Sequence, residues 1–172
     1  MKPAALAAFA ALLTIAVIHP VAAEDAKRLG KFGDWESYAY TDGGTKVCYT
    51  AASAAKVQGG EKGRNSALLI VTHRPGAKAV NEVSVTGGAV FKKDSDVELQ
   101  VGATKHSLFT KGDHAWAKDA SADKAIVGAM LKGREMSVRA TPAKGTALSG
   151  TISLHGFSDA LGAIDKACAV KR

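Results

Sequence analysis

The chain has 172 residues, a formal net charge of +7, 47% hydrophobic residues and 23% charged ones. That length suits one domain with a real core. The positive balance says little about fold but favours anionic surfaces such as lipid headgroups, acidic glycans or lipopolysaccharide. Few aromatics stand among the basic residues, which argues against nucleic acid as the partner.

At the N-terminus Lys2 gives a positive start, Ala4 to Ile18 run apolar except for Thr14, and Val21-Ala22-Ala23 place small residues before Glu24. This three-part pattern predicts a signal peptide over residues 1–23, leaving 24–172 as the mature domain. A spanning helix needs about 20 apolar residues; this run is shorter and ends beside Pro20, and no later segment is apolar enough to span. No cysteine follows the cleavage site, so a lipid anchor is not expected. The expected location is periplasmic or secreted.

Glu24 to Lys31 read as a mobile charged leader. Trp35 to Tyr40 and Lys46 to Ser53 read as two strands joined by the turn Thr41-Asp42-Gly43-Gly44, hence a hairpin. Gln58 to Asn65, with three glycines and three charges, reads as an exposed loop. Ala67 to Thr72 is a continuous apolar run, the pattern of a strand buried on both faces. Then come period-2 segments: Val83 and Val85; Val97, Leu99 and Val101; Met136, Val138 and Ala140; Leu148, Ile152 and Leu154. Such alternation marks strands with one wet face.

Two segments follow a helical period instead. In Ser121 to Lys132, Ala122, Ala125, Ile126, Ala129 and Met130 form one face, with Ser121 as the expected cap and Gly133 as the stop. In Ser158 to Cys168, the stripe runs Phe157, Leu161, Ile164, Cys168, with Ser158 as the expected cap and Asp159 at the positive end of the helix dipole. No repeat or linker divides the mature chain. The expected fold is mainly β, a single β-sandwich or barrel-like domain with two short α-helices near the C-terminus.

The mature chain holds two cysteines, Cys48 and Cys168. In an oxidising compartment an even count reads as a disulfide, with two free thiols or an intermolecular pair as the alternatives. Cys168 lies on the inward stripe of the last helix, which favours a bridge to Cys48. In the chain-entropy model so long a loop is worth roughly 4–5 kcal/mol, less any native strain.

The two ends of the mature chain carry a recognisable signature. Ala125 to Gly133 (AIVGAMLKG) precede a strand, and Thr151 to Cys168 read TISLHGFSDALGAIDKAC. This resembles the invasion-associated locus B family of alphaproteobacterial exported proteins, through Lys132, Gly133, Ser153, Leu154, Gly156, Phe157, Ala160 and Leu161. Phe32-Gly33-Asp34-Trp35 resembles the family's opening strand. Many members carry a cysteine where this chain has Ala39, and a close cysteine pair where it has Lys111 to Trp116. The resemblance brings no catalytic residues.

Few residues suggest chemistry. His73, His106, His114 and His155 lack the spacing of a metal site within one element, and two separate cysteines supply too few ligands, so no metal or cofactor is expected. Surface or strand-edge positions are the plain reading of these histidines. Ser153 and His155 share a strand face, but nothing exposes the serine or orients the histidine as a nucleophile–base pair requires. Lys111-Gly112-Asp113 reads as a hairpin turn rather than an adhesion tripeptide. The basic residues Lys56, Lys62, Arg64, Lys92, Lys93, Lys105 and Lys111 are scattered. Trp35, Phe157 and Trp116 are expected core anchors. No catalytic residue is assigned and the binding residues stay open. The expected function is that of an exported non-enzymatic envelope or secreted protein binding anionic envelope components or cell-surface glycans. An envelope hydrolase with a site assembled from distant residues is the alternative.

Overall fold

Among the described residues the computed structural model places eleven strands in one antiparallel sheet, most of them marked by alternating apolar residues. It describes residues 26–63 and 66–171; the expected signal peptide, the start of the leader and two residues of the expected loop fall outside this range. The strands are β1 (Lys27–Phe32), β2 (Trp35–Asp42), β3 (Thr45–Ser53), β4 (Ala55–Gly60), β5 (Leu68–Arg74), β6 (Ala79–Thr86), β7 (Asp96–Val101), β8 (Thr104–Lys111), β9 (His114–Trp116), β10 (Glu135–Ala140) and β11 (Thr146–Ser153). The helices are α1 (Ala120–Met130) and α2 (Phe157–Cys168).

The order across the sheet is β1-β2-β3-β5-β6-β9-β8-β7-β10-β11-β4. After β3 the chain passes through Ala54 into β4, which pairs with β11 at the opposite edge. The sheet therefore rolls on itself. It does not close into a barrel, because β1 and β4 remain its two edges. The inner face holds Ala39, Cys48, Leu69, Val71, Val83, Val85, Val97, Leu99, Leu108, Met136, Val138 and Ile152, all buried. Both helices cover that face. Ser37 Oγ donates to Ala160 O of α2 at 3.1 Å, and Asp123 Oδ1 of α1 accepts from the Val83 N–H at 2.7 Å.

Several expectations need correction. Most of the supposed leader is β1, which hydrogen-bonds along β2. Gln58 to Gly60, expected in a loop, belong to β4, because the rolled sheet offers the β11 edge as a partner. The run in β5 is not buried on both faces: Leu69 and Val71 are fully buried, while Leu68 and Ile70 are half-exposed on the outer face. Asp119, not Ser121, caps α1, accepting from the Ala122 N–H at 2.8 Å. The buried face of α1 is Asp123, Ile126, Val127 and Met130; Ala125 is exposed. Gly156 rather than Ser158 sits at the N-cap of α2, in the left-handed region at φ 86°. A Cβ there would lie 2.1 Å from Phe32 O, so the position excludes any side chain.

The two family-like ends meet in space. Trp35 Nε1–H donates to Ser153 O at 3.0 Å, and its ring lies 4.7 Å from that of Phe157. The Asp34 N–H donates to His155 O at 3.2 Å. Leu154, Phe157, Ala160 and Leu161 are buried. The signature is thus a packing motif: it seats α2 against the opening strand. Cys48 and Cys168 are bonded, with Cα atoms 6.0 Å apart, tying the far end of α2 to β3.

Candidate functional site

The outer face of the sheet is the face that no helix covers. Strand register decides what lies on it. Antiparallel partners share a face, and Tyr38 pairs with Tyr49 across the β2–β3 hairpin, with Tyr40 one step along. On β5 the outward residues are Leu68 and Ile70, and on β6 Ser84. The β8–β9 hairpin then adds Trp116 opposite Phe109, and His114 beside them. Eight of these nine groups are rings or large apolar side chains, and the outer face holds them out of the core. Val47, buried but outside the core cluster, underlies the same face opposite Tyr40.

The rings stand as two clusters. Tyr38 and Tyr49 stack at 5.2 Å, and Tyr40 meets Tyr49 edge-on at 6.2 Å. Across the sheet, Trp116 stacks on His114 at 5.5 Å and lies 5.9 Å from Phe109, which is 48% exposed. Two hollows of about 540 and 600 Å³ lie over this face and adjoin at Tyr49 and Leu68. Together they form a trough from Asp34 and Ser153 at one end to His114 and Trp116 at the other.

Two arginines beside the trough are paired. Arg28 meets Glu36 at 3.0 Å, and Arg74 meets Glu82. The Tyr38 hydroxyl donates to Glu36, which holds the carboxylate below its ordinary range, with Arg28 adding to the effect. The same bond raises the Tyr38 phenol, and burial raises that of Tyr49. Both therefore present neutral hydroxyls at physiological pH. At the far end His114 Nδ1 and Asp113 are 2.8 Å apart, which lowers the Asp113 carboxyl.

Of the residues singled out from sequence, His114 and Trp116 lie on this face and Ser153 borders the trough; the others are placed elsewhere. His73, expected at the surface, is fully buried. Its Nδ1 accepts from the Asn81 N–H at 3.0 Å, so Nε2 carries the proton and donates to Asp165 Oδ1 at 2.8 Å. Both ring nitrogens are engaged beneath α2, beside the Cys48–Cys168 bridge, so this histidine–carboxylate pair locks the helix to β5. His106 is half-buried, and burial of its ring depresses its pKa. His155 is exposed; Ser153 Oγ accepts from its backbone N–H at 3.2 Å, a local turn bond rather than a nucleophile–base contact. Lys111-Gly112-Asp113 spans the β8–β9 turn. Trp116, expected in the core, is half-buried on the outer face. Lys56, Lys62, Lys92, Lys93, Lys105 and Lys111 are exposed and do not converge; Lys105 pairs with Glu98. Arg64 lies outside the described residues. Among the described residues no three histidine, cysteine or carboxylate groups gather as a metal site would need, and no helix is long and apolar enough to cross a membrane.

The aromatic face was missed because tyrosines in a strand read first as sheet formers. A signal was present. Tyr38 and Tyr49 are equally far from the Gly43-Gly44 turn, and Phe109 and Trp116 equally far from Gly112-Asp113, so each hairpin must set one ring opposite the other.

Comparison with known proteins gives a family. The family described as Invasion associated locus B (IalB) protein matches residues 35–165. No curated protein and no solved structure matches the chain.

Proposed function

We propose that this chain, which belongs to the invasion-associated locus B family, is an exported, non-enzymatic protein of the envelope or the cell exterior. In this reading it binds envelope or cell-surface glycans along its outer aromatic face. Export rests on the N-terminal pattern of residues 1–23 and fits a disulfide between Cys48 and Cys168.

The observation that carries the reading is the uncovered trough with rings at both ends. A pyranose presents C–H groups on one face, which pack on the electron-rich face of an aromatic ring. Its hydroxyls seek donors and acceptors at the edges, which Tyr40, Tyr49, Thr72 and Ser84 supply along the trough. Both arginines beside it are neutralised by glutamates, so an uncharged sugar chain suits it better than a polyanion. A bilayer suits it less, because ion pairs would have to leave water as the face inserted. A peptide adding as a strand would take the β1 or β4 edge rather than a face.

Titration calorimetry with neutral pyranose oligomers, such as chito- and cello-oligosaccharides, tests the reading. It predicts binding that is insensitive to salt and weakened about tenfold or more by Tyr49→Ala or Trp116→Ala. Binding that survives both substitutions, or no binding to neutral or acidic glycans, removes it.

A further inference from the structure

A second surface differs in chemistry from the aromatic face. Where α1 ends, the chain turns through Leu131, Lys132 and Gly133 into β10. A groove of about 610 Å³ opens between this turn, the β7–β8 hairpin and the first half of β10. Lys132, Arg134 and Arg139 line it, against a single carboxylate, Glu135. Lys132 and Arg134 are exposed and have no ion-pair partner among the described residues. Arg139 is shared only at 3.4 Å with Glu98, whose other oxygen takes Lys105 at 3.0 Å. Gln100 and Ser137, facing partners on β7 and β10, add neutral polar groups to the lining.

Cations just beyond a helix C-terminus are often explained by the helix dipole. Here backbone donors already serve the last carbonyls. Val127 O accepts from Leu131 N, Ala129 O from Lys132 N and Gly133 N, and Met130 O from Gly133 N. The side chains are left to face the groove. Gly133 explains how the turn can sit so low: a Cβ there would stand 2.4 Å from Val101 Cγ1 and 2.9 Å from Leu154 Cδ1. Any larger residue would have to displace these two side chains, and the close approach of the glycine sets Lys132 and Arg134 on either side of the contact.

We propose that this groove binds a phosphate-bearing group. A phosphomonoester carries about two negative charges and three acceptor oxygens. Three cations offset by Glu135 match that charge, and two arginines supply the planar donor pairs that phosphate oxygens accept. The group could be carried by a lipid headgroup or by a soluble or glycan-borne phosphate; the recognising chemistry is the same. The inference does not depend on glycan binding by the aromatic face, which uses other residues.

The test is a titration of the full chain, followed by the backbone amide resonances, with inorganic pyrophosphate as the probe. The expected shifts centre on Gly102, Gly133, Arg134 and Ser137. The double substitution Lys132→Gln/Arg134→Gln should weaken binding about tenfold, while Lys92→Gln/Lys93→Gln, at an exposed turn elsewhere, leaves it unchanged. Trp116→Ala should leave it unchanged too, so failure here and failure of the glycan reading are separable. A second arm uses phosphatidylcholine vesicles with and without phosphatidic acid, whose headgroup is a phosphomonoester. Capture by the anionic vesicles that is lost in the Lys132/Arg134 variant assigns the phosphate to a lipid headgroup. Pyrophosphate binding without capture assigns it to a soluble or glycan-borne group. Equal losses in both lysine-containing pairs, shifts spread over the whole basic surface, or no response to either probe would overturn the proposal.

Discussion

The two faces of the sheet each carry aromatic rings, and they use them in opposite ways. On the inner side Trp35 of β2 and Phe157 of α2, at 0% and 1% exposure, pack ring against ring, and Trp35 donates to Ser153 O. On the outer face Tyr38, Tyr40, Tyr49 and Trp116 are only half-buried, packed mainly against one another, and nothing roofs them. Position on a strand separates the two sets: Trp35 and Tyr38 differ by an odd number of residues, so a period of two sends them to opposite faces. Burial makes the first set part of the fold. Partial exposure makes the second set available to a ligand.

The largest effect expected from this contrast is on the inner side. Phe157→Ala should cost about 3–5 kcal/mol, read as a fall in the denaturant midpoint with an unchanged slope. A loss no greater than that of Trp116→Ala would mean that the two faces are not energetically distinct. Next is the covalent tie under the same roof. Reducing the Cys48–Cys168 bond should cost about 2–5 kcal/mol, and hydrogen exchange should speed first in α2. Three turns of helix do not persist alone, so Phe157, Leu161 and Ile164 must then hold it without help at its far end. Mass spectrometry of the non-reduced protein that finds two alkylatable thiols would contradict the bridge.

Smaller effects sharpen the comparison. Asp123 is buried under α1, and burial raises its carboxyl above the ordinary range, although the Val83 N–H opposes the shift. A carboxyl raised by folding favours the native state when protonated, and that contribution is lost as pH rises through its folded pKa. The stability of the wild type relative to Asp123→Asn should therefore decline as pH rises through the carboxylate range toward neutral. Asp123→Ala, which leaves the Val83 N–H without its acceptor, should cost about 1–3 kcal/mol at acidic pH, and less as pH rises through the folded pKa. A flat pH difference between wild type and Asp123→Asn would contradict the burial argument. Smallest in stability is the outer face: Trp116→Ala should cost about 1 kcal/mol, the scale of one aromatic pair, and its main effect should be on glycan binding.

Much of the inner face was legible in the sequence. The alternation of Val97, Leu99 and Val101, or of Met136, Val138 and Ala140, needs one buried side, and the stripe of α2 needs a surface to cover. The edges were less legible. β1 and β4 are rich in lysine and glycine, have little apolar pattern of their own, and become strands because a neighbouring edge offers hydrogen bonds. Asp119 and Gly156 displaced the expected serine caps for local reasons: a carboxylate two residues earlier reached the free N–H first, and close contact with Phe32 O demanded a glycine. His73 read as a surface residue because its partners are distant in sequence. Asn81, Asp165 and the bridge come together only after α2 docks. The groove at Lys132 and Arg134 was hidden for the same reason, since Arg139 and Gln100 reach it from other strands.

The chain has two tryptophans, one on each face. Fluorine NMR of fluorotryptophan-labelled protein therefore reports both faces in one spectrum. On titration with a neutral pyranose oligomer, the Trp116 resonance should move with a saturating dependence while that of Trp35 stays fixed. A spectrum in which Trp116 stays fixed while the oligomer binds, or in which Trp35 moves alone, would contradict the assignment of the outer aromatic face as the binding surface.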